Sequence, residues 1–162
     1  MEKPDIEIKS IDDMKVVYIR FKGTYVEFRK NSRKLFNKLF DYVNSKELII
    51  PNVTKVLTMY NDNPFITEAK NLRTSFAMTV PNTITDTDSD EISVTSISGK
   101  FIVGHFNISP KEYEEAWQYM YHEYLFKSNE KPRDAIPFEL YVTEPPKTMS
   151  GKSFTDIYIP IE

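Results

Sequence analysis

Residues 15–27 read KVVYIRFKGTYVE, and residues 100–112 read KFIVGHFNISPKE. At an offset of 85 (100 − 15), Val17 falls on Ile102, Phe21 on Phe106, Thr24 on Ser109 and Glu27 on Glu112. Each segment opens on a β-branched and aromatic run, the grammar of a strand. Each closes on Thr/Ser-x-x-Glu. In that spacing the hydroxyl accepts the N3 amide and the carboxylate reaches back to the cap amide, so a helix starts there. Pro110, at the first helical position, strengthens the second start. Both segments therefore read as strand followed by helix.

The same order continues outward. Asp5–Lys9 alternates polar and apolar, and Met14–Phe21 is a second strand that Gly23 ends. A helix follows from about Tyr25 to Val43, with Phe28, Leu35, Phe36, Leu39 and Val43 on one stripe. Lys55–Tyr60 and Leu72–Val80 read as strands. Pro81–Glu91 (PNTITDTDSDE) is polar and reads as a linker. Beyond it Ile92–Ile97 and Lys100–Ile108 are strands and Pro110–Phe126 is a helix. Pro137–Thr143 and Thr155–Ile161 are strands. With the offset slipped to 81, Tyr60–Pro64 lies against Tyr141–Pro145 as Y-x-x-x-P. The expected fold is α+β: tandem duplicated strand–helix–strand–strand units forming an antiparallel sheet with two main helices and a pseudo-two-fold axis. A single domain spans 1–162, with repeats 1–80 and 92–162 and linker 81–91. The crevice where the units meet is the expected ligand site.

Composition narrows the function. The 162 residues hold no cysteine, which excludes disulfides, thiol catalysis and thiolate zinc sites. Lys+Arg is 21 against Asp+Glu 24, a net charge of −3, without the basic surplus of a nucleic-acid binder. The N-terminal MEKPDIEIKS has no apolar core of a signal peptide, and no apolar run approaches the ~20 residues of a membrane span. The expected location is cytoplasmic, with no membrane partner. His105 and His122 lack ligand spacing, and Asp86–Glu91 has Glu91 where a calcium loop needs glycine, so no metal is expected. No phosphate-cradling or nucleophile-elbow motif is present, and no cofactor is expected. Aromatic residues are abundant: 11 Phe, 10 Tyr and 1 Trp. That many rings suit a large core, an aromatic pocket, or both.

Glu139 stands out. In PFELYVT, Phe138, Leu140 and Val142 point to one face and Glu139 and Tyr141 to the other. Its repeat counterpart, Thr58, is neutral. Spacing leaves two readings: a glutamate on a solvated face, or an acid in a pocket. Tyr113, Trp117 and Tyr121, four apart, form one helical stripe, which reads either as core or as pocket wall. Tyr60 is the counterpart of Tyr141, and Tyr18 and Phe101 lie on alternate faces from Val17 and Ile102. Glu139, Tyr141, Trp117, Tyr121, Tyr18, Tyr60 and Phe101 are the candidate ligand-binding residues. A carboxylate ringed by aromatics suits a greasy cation, each ring face adding about 0.5–2 kcal/mol when desolvated.

Five pieces of the chain together resemble the GyrI-like small-molecule-binding family, which also supplies the effector-binding domains of AraC-type and MerR-type multidrug regulators. They are VVYIRFKGTY, GKFIVGHF, EEAWQYMYHEYL, PFELY and TDIYIPI, spread from about Ile6 to Ile161. The resemblance implies a pocket near the pseudo-dyad with Glu139 as its central acid and roles for Trp117 and Tyr141. Regulators of this family carry a helix-turn-helix domain. Only Met1–Pro4 precede the first strand here, so a standalone member that does not bind DNA directly is expected. The first functional reading is a sensor or sequestering protein for lipophilic, cationic aromatic small molecules. The alternatives are a hydrolase of strained electrophiles, with Glu139 as general acid or base, and a gyrase-modulating interaction protein. Catalytic residues and any protein partner stay unassigned.

Overall fold

The computed structural model describes residues 1–144 and 146–162. The proline of the second Y-x-x-x-P match, Pro145, lies outside the described residues. Eight main elements follow in order: β1 (Asp5–Lys22), α1 (Tyr25–Ser45), β2 (Val56–Tyr60), β3 (Arg73–Thr79), β4 (Ile92–Ile108), α2 (Tyr113–Gln118), β5 (Phe138–Tyr141) and β6 (Ser153–Ile161). The fold is α+β with antiparallel strands and two main helical segments, in the expected order.

The chain forms two compact units, residues 12–98 and residues 1–11 with 99–162. In the first, β3 lies between β1 and β2, with Ile19 and Thr58 both opposite Phe76. Val17, Ile19 and Met78 from the strands bury against Leu39 and Val43 of α1, and Ile92 closes the cluster. The apolar stripe thus explains why α1 docks. Full burial of each such side chain is worth about 1.5–3 kcal/mol. Thr24 caps α1, accepting from the Glu27 amide at 3.1 Å while Glu27 accepts from the Thr24 amide at 3.1 Å. The acidic end of the 81–91 stretch is tied to the same helix, Lys38 to Glu91 at 3.2 Å and Lys46 to Asp88 at 2.6 Å.

In the other unit β6 lies between β4 and β5. One sheet face meets the helical segment: Ile102, Phe106, Ile157 and Ile159 bury against Ala116, Met120 and Leu125. Gly104 of β4 belongs to this face. A Cβ there would collide with the Met120 sulfur and come 2.7 Å from the Phe106 ring. The capping box at Ser109 and Glu112 is present, with Pro110 beside it.

The structure corrects three sequence expectations. The two strands expected over Asp5–Phe21 are one 18-residue strand. Asp12 and Asp13 are exposed, so their charges impose no break, and neither glycine nor proline interrupts the run. The two strands expected over Ile92–Ile108 are likewise one. Gly99 does not end β4; it takes φ +101, a conformation only glycine adopts cheaply, while the Arg133 guanidinium packs where a Cβ would stand. Lastly, the segment expected as a plain helix over Pro110–Phe126 changes pitch. A 3-10 turn leads into α2, a π-helical turn covers Tyr119–Tyr124, and a second 3-10 turn covers Leu125–Lys127.

Candidate functional site

Glu139 sits in the middle of β5, opposite Ile157, and is 3% exposed. Gly104 also pairs with Ile157, so Glu139 shares the sheet face that meets the helical segment. Trp117 of α2 sends its indole Nε1–H to Glu139 Oε1 at 2.6 Å. Tyr141, two residues along the strand, donates its hydroxyl to Oε2 at 2.8 Å. Both oxygens thus accept from uncharged donors, one an indole N–H and the other a phenol O–H. Burying an ionised carboxylate without hydrogen bonds would be prohibitive.

Rings continue from this centre. Tyr121 stacks on Trp117, centroids 6.3 Å apart and planes 23° apart. Tyr113, one turn before Trp117, places its hydroxyl 2.8 Å from the Thr155 Oγ1. Burial pushes the Tyr113 hydroxyl above its ordinary pKa, and the nearby Glu139 charge adds to the rise. Burial alone raises Tyr121. This corner therefore holds a buried acid, a half-buried indole and half-buried phenols.

Of the seven candidate residues, Glu139, Tyr141, Trp117 and Tyr121 come together. Phe101 does not join them. Its ring packs against Phe138 at 5.6 Å and Tyr158 at 5.7 Å, on the sheet face opposite Glu139. Tyr18 and Tyr60 belong to the other unit. There Tyr60 meets Tyr25 edge-on at 5.9 Å. Tyr18 lines an open cleft of about 400 Å³ with Arg20, Leu35, Lys38 and Glu91, and the Arg20 guanidinium lies 5.4 Å over its ring. Sequence reasoning missed Thr155, because a cross-strand neighbour depends on register. It placed Tyr113 on the Trp117 stripe without making it a candidate.

His105, a half-buried strand residue, lies on the opposite face from Glu139. Its Nδ1 is 2.7 Å from Asp156 and its Nε2 is 2.8 Å from Glu7. No group of three or more potential metal ligands occurs among the described residues, and no described helix is long and apolar enough to cross a membrane.

The model of the GyrI-like small molecule binding domain matches residues 4–162, and the chain belongs to that family. No curated protein sequence matches it. Among solved structures it is similar to the EcmrR C-terminal domain, 16% identical over 98% of each chain with a TM-score of 0.75. It spans 57% of the EcmrR chain in a complex with DNA. It is also similar to SAV2435 bound to tetraphenylphosphonium, 13% identical over 98% of this chain and 94% of that one, TM-score 0.62. A third similar structure is a hydrolase from Listeria innocua, 12% identical over 100% of this chain and 94% of that one, TM-score 0.67. At such identities the likeness establishes the fold.

Proposed function

We propose that the chain binds lipophilic aromatic cations against Trp117, Tyr121 and Tyr141, with Glu139 supplying the opposing charge, and so senses or sequesters them without contacting DNA itself. The observation that carries this reading is the Glu139 carboxylate, 3% exposed and hydrogen-bonded on both oxygens by neutral side chains. Such an acid attracts a cation far more strongly than one in water, because little solvent screens it. The rings add cation–π attraction and exclude anions and polar solutes by desolvation. Membership of a small-molecule-binding family supports the reading. So does the presence of an aromatic phosphonium on SAV2435.

Shape and charge can be separated experimentally. Tetraphenylphosphonium and tetraphenylborate have nearly the same size and opposite charge. Calorimetric titration should show saturable 1:1 binding of the cation and none of the anion. Equal affinity for both would reduce the site to a greasy surface and remove the role of Glu139.

Hydrolysis is the second reading. The carboxylate and the Tyr141 hydroxyl, 2.8 Å apart, could serve as general base and hydrogen-bond donor for attack by water. Incubation with a strained electrophile, followed by mass spectrometry, separates the two. Product beyond one equivalent per chain would mark an enzyme, and a single saturating adduct or no product would mark a binding module.

A further inference from the structure

The change of pitch after α2 has a consequence for the ring cluster. In an α-helix, side chains four apart share a face, and Trp117 stacks on Tyr121 in that way. A π-helical turn closes i→i+5 hydrogen bonds, so the residue five positions on takes that place. The turn over Tyr119–Tyr124 does this on both sides of the segment. On the core side Ala116 is followed at four by Met120 and then at five by Leu125, all three buried. On the other side Trp117 is followed at four by Tyr121 and then at five by Phe126, whose ring lies 6.0 Å from that of Tyr121. An uninterrupted α-helix would carry the ring stripe on to Leu125 instead. That residue is 2% exposed, whereas Phe126 is 65% exposed and is further braced edge-on by His122 at 5.5 Å.

We infer that Trp117, Tyr121 and Phe126 form a track of rings from the Glu139 carboxylate to solvent, the first two stacked and the last tilted 40° from Tyr121, and that Phe126 is a specificity-determining residue for cations carrying several rings. This rests on the cation-binding reading above and extends it from the charge to the shape of the ligand. A cation with one ring is satisfied at Trp117 and Tyr121. A multi-ring cation extends outward and covers the exposed ring, trading its hydration for contact with the ligand. The inward part of the track is fixed by the hydrogen bond from Trp117 to Glu139. The π turn places Phe126 at the outward end, five residues after Tyr121.

The test uses the full chain and two cations, benzyltrimethylammonium with one ring and tetraphenylphosphonium with four, titrated by calorimetry. Phe126→Leu keeps an apolar side chain but removes the ring. It should weaken tetraphenylphosphonium about 3- to 30-fold, the range of one aromatic contact, and leave benzyltrimethylammonium unchanged. Phe126→Tyr should restore the affinity. Circular dichroism and a thermal melt show whether each variant keeps the wild-type fold. Unchanged affinity for both cations in a folded Phe126→Leu, or an equal loss for both, would overturn the track while leaving cation binding in place. Failure of the wild-type chain to bind either cation would remove the cation-binding reading itself, and the track with it.

Discussion

The indole N–H of Trp117 and the carboxylate of Glu139 meet at 2.6 Å, joining the helical segment to the centre of a buried strand. The residues are 22 apart in sequence. The contact does two things at once: it satisfies a buried acid, and it fixes the plane of the indole on which Tyr121 stacks.

Removing that donor should therefore cost stability as well as order. Trp117→Phe keeps an aromatic ring and deletes the N–H. A hydrogen bond to a charged group is worth about 1.5–3 kcal/mol, and Glu139 would retain the Tyr141 hydroxyl. Urea unfolding should show a lower midpoint with an unchanged slope, corresponding to a loss of about 1–3 kcal/mol. An unshifted midpoint would mean that solvent replaces the indole without cost.

At Gly104 the Met120 side chain of the helical segment occupies the space a Cβ would need. Met120 is fully buried and cannot retreat into solvent. Gly104→Ala should destabilise the chain by about 1–3 kcal/mol through overpacking. Thermal melting of the variant at neutral pH checks this, and a wild-type melting temperature would show that Met120 repacks freely.

A pH dependence follows from His105. Burial alone would lower its pKa, but hydrogen bonds and charge from Asp156 and Glu7 outweigh burial and hold it above the ordinary 6.5. Tyr158 also titrates in this environment; burial first, then the charges of Asp156 and Glu7, push it up to about 12. With the folded value of His105 above the unfolded one, its contribution is fully present below pH 6.5. It is lost as pH rises through the folded value. Only the imidazolium donates from both nitrogens, to Asp156 and to Glu7. The stability difference between the wild-type chain and His105→Gln should shrink between pH 6 and pH 9. A difference that stays constant, or grows, across that interval would contradict the assigned direction.

Much of this could be read from the sequence. Thr24-x-x-Glu27 and Ser109-x-x-Glu112 located both helix starts, because a capping box is a local, geometric signal. Alternation in PFELY correctly set Glu139 and Tyr141 on one face and Phe138 and Leu140 on the other. The association of Phe101 with Glu139 could not be judged in this way. Alternation fixes faces within a strand, whereas cross-strand register decides which faces coincide. Register puts Ile102, not Phe101, on the side of Glu139. The π turn was equally hidden. Its spacing of five between Tyr121 and Phe126 looks like noise until Met120 and Leu125 are both seen in the core. The continuity of β1 and β4 escaped because Asp12–Asp13 and Gly99 are good turn residues that here lie within strands.

The central claim is that the charge of Glu139 selects the ligand. It is tested most directly by titrating wild-type chain and Glu139→Gln with tetraphenylphosphonium and with neutral triphenylphosphine oxide. Glutamine keeps the size and can still accept from Trp117. Truncating one partner of a buried charge pair costs about 2–5 kcal/mol, so the cation should lose roughly 30-fold to several-thousand-fold in affinity. The neutral compound should bind unchanged or more tightly, because the carboxylate no longer has to stay ionised beside an apolar ligand. A loss for the cation of less than about tenfold, the worth of a solvent-exposed charge, would contradict the account. So would an equal loss for both compounds.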